Sequence, residues 1–208
     1  MDIRITATNV KKVFNRRVVF QNISVSIASG QTLLITGRNG SGKSTLAKII
    51  SGILTPSNGS VTVHQQSKEL IDSLRRLVGF VAPYVQMYDE FSARENLRLA
   101  LAIRGLPPNE PILNALLSRV SLGGRADDRV ATFSSGMKQR LKYAFALAHN
   151  PPILILDEPM TNLDSEGAQM VRDVMSEHRR EGILIIATND LQDIDLYDLQ
   201  VDLNAVHA

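Results

Sequence analysis

Residues 37–45, GRNGSGKST, constrain the fold of this chain more than any other stretch. The apolar run Thr32-Leu33-Leu34-Ile35-Thr36 precedes them and reads as a buried strand, and Leu46-Ala47-Lys48-Ile49-Ile50 continues as a helix. Strand, glycine-rich turn and helix in that order give the context of a phosphate loop. The glycines free the backbone so that several N–H groups converge on one anion at a helix N-terminus. Lys43 adds a point charge for the β- and γ-phosphates, and the Ser44 hydroxyl is spaced to ligate Mg²⁺. The candidate nucleotide-binding residues are therefore Gly37, Arg38, Asn39, Gly40, Ser41, Gly42, Lys43, Ser44 and Thr45. The alternative is an ordinary glycine turn. With a strand before and a helix after, nucleotide binding is the better reading.

Bulk properties exclude several classes. At 208 residues the chain is expected to form one domain, with room for a subdomain. Its net charge of +2 is weak and the basic residues form no long run, so no nucleic-acid partner is expected. The chain has no cysteine, which removes disulfides and thiolate metal sites. His64, His149, His178 and His207 lie far apart and show no ligand spacing. Apolar stretches such as 153–156 and 183–187 fall well short of the ~20 residues that cross a bilayer. The N-terminus alternates where a signal segment would be basic and then apolar. A cytosolic protein is expected, reaching any membrane through another chain.

Along the chain, Ile3, Ile5 and Ala7, then in part Val19, Ile23, Val25 and Ile27, alternate with polar residues and predict an antiparallel strand system before the phosphate loop. Phe14 lies between these strands. It either packs in the core or stacks on an adenine face. Residues 55–59 are a turn cluster, 60–64 a short strand, 70–77 a helix and 78–81 a buried strand. Ser92 and Glu95 have the spacing of a capping box, and Leu97, Ala100 and Leu101 share the face of the helix it opens. Asn109 is spaced to cap a second helix bearing Leu113, Leu116, Leu117 and Val120, which ends near Gly123-Gly124. A third helix starts at 133–136, with Met137, Leu141, Ala144, Phe145 and Ala148 as its apolar face. The small residues Ser134, Ser135 and Gly136 at its start serve either as a cap or as a phosphate contact. Helices over about 83–148 thus interrupt a strand-rich core, 1–82 and 149–208.

Ile153-Leu154-Ile155-Leu156 is a wholly apolar strand that delivers Asp157-Glu158. Adjacent carboxylates at the end of a buried strand are costly unless a cation or a reaction uses them. In a phosphate-loop enzyme the natural division is that Asp157 holds Mg²⁺ while Glu158 polarises the attacking water. The bland alternative is a loop with two solvated acids. Val171, Val174, Met175 and His178 mark a helix closed by Arg179, Arg180 and Gly182. Ile183 to Ala187 is read as the last buried strand, with Thr188-Asn189-Asp190 at its C-terminal end, where α/β sites collect. The chain stops soon after, and no separate regulatory domain is expected.

Taken together, the phosphate loop, FSSGMKQR at 133–140, ILILDEP at 153–159 and NLDS at 162–165 resemble, in order and spacing, the nucleotide-binding subunit of an ATP-binding cassette (ABC) transporter. The resemblance runs over nearly the whole chain. It implies an α/β P-loop NTPase fold, in which a RecA-like core with an antiparallel β subdomain carries the phosphate loop and a helical subdomain carries the signature motif. It also implies a homodimer or heterodimer closing head to tail on two ATP molecules, with membrane-spanning transporter subunits as partners. By resemblance, Phe14 is the adenine-stacking aromatic, and Ser134, Ser135 and Gly136 are the signature that meets γ-phosphate across the dimer. Asp164 links the two sites, Glu158 is the catalytic glutamate, and Asp157 with Ser44 serves Mg²⁺. Two positions depart from the pattern. The place of a glutamine that reaches Mg²⁺ is held by Pro83, with Gln86 nearby, and the place of the switch histidine is held by Asn189. Turnover is put in doubt more than ATP binding.

Two rival readings follow. A soluble ABC ATPase acting on nucleic acid or ribosomes is disfavoured by the single cassette, the lack of a long coiled coil and the weak charge. A nucleotide-gated module with weak hydrolysis is suggested by Pro83 and Asn189. The compact size and the loop around Pro83 resemble the small exporter ATPases, including the haem-exporter type.

Overall fold

Alternating burial along β1 (Ile3–Phe14) and β2 (Arg17–Ala28) lays the two strands antiparallel, with Ile5 opposite Ile27 and Ala7 opposite Val25. The chain then leaves for a second sheet through β3 (Thr32–Thr36) and, after α1 (Lys43–Ile50), returns as β4 (Asn58–Gln65) on the other edge of β1. The two-residue β5 (Lys68–Glu69) completes a sheet of order β2-β1-β4-β5. This computed structural model describes residues 2–66, 68–70, 74–190 and 197–205.

After the short α2 (Leu74–Leu77), β6 (Val78–Val81) enters the second sheet. Three helices follow, α3 (Ala93–Ala102), α4 (Glu110–Arg119) and α5 (Ser135–Leu147), before β7 (Ile153–Asp157), α6 (Ser165–His178), β8 (Ile183–Ala187) and β9 (Leu199–Asp202). The sheet runs β6-β7-β8-β3-β9 and every pairing in it is parallel. All five residues of β3, β7 and β8 are buried, because both faces are covered. Leu154, Leu156, Leu184 and Ile186 pack toward α3 to α6, while Ile153, Ile155, Ile183 and Ile185 pack toward α1 and the antiparallel sheet. An α/β fold with an antiparallel sheet beside a parallel one is thus as the sequence predicts.

The predicted capping box is present, with Ser92 and Glu95 bonded reciprocally, and Asn109 accepts from the Ile112 N–H at the start of α4. Three expectations need correction. Of the helix predicted over 70–77, Leu74–Leu77 is helical and Leu70 is not, while 71–73 lie outside the described residues, as does His207. The chain after α4 turns at Ser121, whose φ is 57°, and Gly123 opens a 3₁₀ turn instead of ending the helix. The buried side of α5 is broader than its apolar stripe and includes Gln139, Lys142 and Tyr143, because the helix packs at once on β6, α3 and α4. β8 is the last wholly buried strand, as the sequence predicts, but one further strand follows it. β9 is a half-exposed edge with only alternate residues turned inward, so it lacks the continuous apolar run of the central strands.

Candidate nucleotide site

Parallel pairing of β7, β8 and β3 brings their C-terminal ends to one edge of the sheet. Ala187 is in register with Asp157 on one side and Ile35 on the other, so residues 37–42, Asp157-Glu158 and Thr188-Asn189 emerge together. This is where α/β folds gather ligands.

The phosphate loop has its shape for local reasons. Gly37 has φ 149°, and a Cβ there would stand 2.4 Å from Ser41 Oγ. Gly42, the N-cap of α1, has φ 104°, and a Cβ would stand 2.6 Å from Val19 Cγ1. Only glycine fits both positions. The Ser41 N–H donates to the Arg38 carbonyl at 3.0 Å, closing the turn ahead of the helix. Lys43 is buried, donates from Nζ to the Gly37 carbonyl at 2.9 Å, and lies 3.6 Å from Glu158 Oε1. Ser44 and Thr45 follow in the first turn, half-buried. Backbone donors at a helix N-terminus around a buried ammonium form a receptor for phosphate.

Asp157 is 0% exposed, and neither of its carboxylate oxygens has a hydrogen-bond partner. A buried anion in that condition is strongly unfavourable without a cation, and carboxylate and hydroxyl oxygens suit a hard divalent ion. The donor set therefore fits Mg²⁺, with Ser44 as the companion ligand. Glu158 has φ 50°, a conformation that costs a β-unbranched residue on the order of 1 kcal/mol. It is held there by its N–H, which donates to the Ala187 carbonyl at 2.8 Å. Its Oε2 accepts from Thr188 Oγ1 at 3.2 Å. Beside it, Asn189 donates through Nδ2 to Asn39 Oδ1 at 3.1 Å, joining the end of β8 to the phosphate loop.

The remaining predicted residues lie apart from this cluster. Phe14, at the end of β1, is 46% exposed and so is not a core aromatic, and the Lys12 ammonium sits 4.8 Å from its ring centroid. Ser134 caps α5, its hydroxyl accepting from the Met137 N–H at 3.2 Å, and Ser134 and Ser135 are exposed. Gly136 follows, half-buried. Among the described residues no hydrogen bond joins these three to the phosphate loop. Asp164 caps α6 by accepting from the Gly167 N–H and pairs with Arg140 of α5 at 2.8 Å; the N–H first, then Arg140, hold its carboxyl below the usual range.

Thr188, which the sequence places at the end of β8, joins the site through its bond to Glu158. Two residues at the site were not singled out by the sequence. Tyr84 is one: it is half-exposed, its phenol lies beside Asp157, and partial burial first, then that carboxylate, push it well above the usual phenol range. The Lys48 ammonium lies over the same ring, 3.8 Å from its centroid. The other is Lys142, buried on α5 and donating to the Ala82 and Pro83 carbonyls at 3.2 and 2.9 Å. Gln86 is exposed and lines a groove with Lys138 and Gln139. The one signal for Lys142 was a cation inside an otherwise apolar helical segment. None marked Tyr84.

Comparison with known proteins is consistent with this geometry. The family model described as ABC transporter matches residues 20–161. An uncharacterized ABC transporter ATP-binding protein, YybJ of Bacillus subtilis (strain 168), is 32% identical over 202 residues, covering 96% of this chain and 92% of that protein. The lantibiotic transport ATP-binding protein SrtF of Streptococcus pyogenes is 32% identical over 183 residues, covering 88% and 78%. Among solved structures, a dimeric ATP-binding cassette in a post-hydrolysis state, bound to ADP and Pi, superposes with a TM-score of 0.83 at 25% identity, covering 95% of this chain and 93% of that one.

Proposed function

The chain belongs to the ABC transporter family, and from that premise we propose that it is the ATP-binding and ATP-hydrolysing subunit of a membrane transporter, acting as a dimer. The observation that carries this reading is the convergence of buried Lys43, unpartnered Asp157 and strained Glu158 on one phosphate loop. The loop N–H groups and Lys43 bind the phosphates of ATP. Ser44 and Asp157 hold Mg²⁺, which when bound neutralises charge on the phosphate oxygens. Glu158 accepts a proton from water as the water oxygen bonds to the γ-phosphorus, and the bond to the bridging β–γ oxygen breaks to give ADP and phosphate. Asn189 donates a hydrogen bond toward the γ-phosphate from the end of β8.

Ser134, Ser135 and Gly136 are exposed on the helical portion, which we take as a subdomain over about 83–148. They complete the site of a second nucleotide-binding subunit, identical or homologous. The dimeric ADP-bound relative supports that arrangement. Asp164, bonded to Arg140 of the signature helix, couples the two sites, and Phe14 stacks on adenine. Among the described residues no helix is long and apolar enough to cross a membrane. On the proposed reading the transport path belongs to separate membrane-spanning subunits, with this chain peripheral on the cytoplasmic face. The lantibiotic transport relative supports such a role.

The test is light scattering on Glu158→Gln with Mg-ATP, beside phosphate release by the parent. The expected result is turnover by the parent, and in the variant retained ATP binding, lost turnover and an ATP-induced dimer that Ser134→Arg abolishes. Undiminished hydrolysis in Glu158→Gln defeats its role as base. An ATP-induced dimer that survives Ser134→Arg defeats the role of the signature across the dimer.

A further inference from the structure

The family pattern expects a glutamine directly after β6, at the place of Pro83, and a proline side chain has no donor to offer Asp157 or a metal. Val81 is in register with Leu156, so residues 82–84 leave the sheet beside Asp157, and the half-exposed Tyr84 is the side chain of that segment that brings a donor next to the carboxylate. Its position is fixed from two directions. Lys48, one helical turn beyond the phosphate-loop residues of α1, places its ammonium 3.8 Å from the centroid of the tyrosine ring, a cation–π contact that holds the ring against α1. Lys142, buried in α5, donates to the carbonyls of Ala82 and Pro83, the two residues that lead into Tyr84. A buried ammonium would not be retained there without such partners, so the loop and the signature helix are tied where the tyrosine leaves the sheet. Asp157 meanwhile has no hydrogen-bond partner on either oxygen.

We propose that Tyr84 is a positioning residue for the metal site: on metal binding its hydroxyl closes onto one oxygen of Asp157, unpartnered in this structure, and leaves the other for Mg²⁺, with Lys48 fixing its ring and Lys142 its loop. This rests on reading Asp157 as the metal holder. Outer partners of that kind fix the rotamer of a ligating carboxylate, and their removal costs roughly 10- to 100-fold in metal affinity. The arrangement also gives α5 a direct handle on the site. The helix capped by Ser134 reaches, through Lys142, the carbonyl of Pro83, the residue directly before Tyr84.

The probe is Mn²⁺ with a non-hydrolysable ATP analogue, following free Mn²⁺ by electron paramagnetic resonance and analogue binding without metal by calorimetry. Tyr84→Phe keeps the ring and its contact with Lys48 and deletes only the hydroxyl. It is expected to weaken Mn²⁺ retention by about 10-fold or more while leaving metal-free analogue affinity within twofold of the parent. Lys142→Met is expected to weaken Mn²⁺ retention in the same sense by releasing the loop, whereas Gln86→Ala leaves it unchanged. A purely structural role for Tyr84 would move metal-free and metal-bound affinities together. Mn²⁺ retention by Tyr84→Phe within twofold of the parent, or equal losses with and without metal, overturns the proposal. A parent that binds the analogue but retains no Mn²⁺ overturns both the proposal and the reading of Asp157 beneath it.

Discussion

The loop after β3 and the loop after β6 leave the same edge of one parallel sheet, yet they are held by different means. Residues 37–42 are shaped from within. Two glycines adopt positive φ where a Cβ would collide, and Lys43 bonds back to the loop's own Gly37 carbonyl. The segment that starts at Ala82 is shaped from outside. Lys142 from α5 holds its first two carbonyls, Lys48 from α1 covers the Tyr84 ring, and Asn96 of α3 bonds both the N–H and the carbonyl of Tyr88. A self-shaped loop keeps its geometry while its neighbours move. A loop held by other elements reports their movement, which suits a segment placed between the phosphate loop and α5.

The largest effect expected from this contrast is at Gly42. Gly42→Ala places a methyl against Val19 and Phe20 in a backbone conformation that alanine resists, so the loop must open. ATP affinity by calorimetry should fall by about 100-fold or more, near 2.7 kcal/mol, with the fold intact by circular dichroism. A variant that binds ATP within threefold of the parent would break the contrast at its stronger end.

Next is Asn189, which touches the self-shaped loop through Asn39. An amide is shorter than an imidazole and cannot titrate near neutral pH, so under the proposed role Asn189 should supply less transition-state stabilisation than a histidine would. Single-turnover hydrolysis should rise by about 10-fold in Asn189→His and fall in Asn189→Ala, since one preorganised donor is typically worth on the order of 10² to 10³ in rate. Equal rates in all three proteins would remove Asn189 from the chemistry.

Lys142→Met sharpens the other side of the comparison. Loss of two bonds from an ammonium to backbone carbonyls should speed amide exchange in 84–88 by on the order of 10-fold, while exchange in 38–42 stays as in the parent. Equal acceleration in both loops would show that they are not independently held.

The smallest effect concerns acid. His149, between α5 and β7, is driven down to about 4, by burial first and then by the Arg104 charge. It stays neutral in the native protein down to that pH, whereas in the unfolded chain it takes a proton near 6.5. Its contribution to stability is therefore full above pH 6.5 and is lost as pH falls from 6.5 toward 4. Unfolding in that window should take up to about one proton fewer in His149→Gln than in the parent. Exchange in 84–88, on the α5 side of the sheet, should respond before exchange in 38–42. No difference in pH dependence between parent and variant would remove His149 from the account.

How much of this was legible beforehand follows the same division. The phosphate loop, the apolar run 153–156 with its two acids and the capping box at Ser92 are local patterns whose meaning needs no distant partner. So are the alternating strands at the start. Glycine at a forbidden φ, an apolar stretch buried on both faces and a hydroxyl three residues before a glutamate act within a few residues of themselves. The sequence by itself therefore determined the α/β fold, the family and the chemistry offered at residues 37–45 and 157–158. It could not determine β9, which earns its place only by pairing with β3, nor the buried width of α5, which depends on three neighbours at once. Nor could it select Tyr84 over Gln86. Those two residues are two positions apart and both carry a donor. Which of them stands beside Asp157 was decided by Lys142, fifty-eight positions from Tyr84 in the chain, and by Lys48 on another helix. Long-range contacts of that kind exist only once the sheet has brought β6, β7 and α5 together, and for that reason tertiary structure alone fixed them.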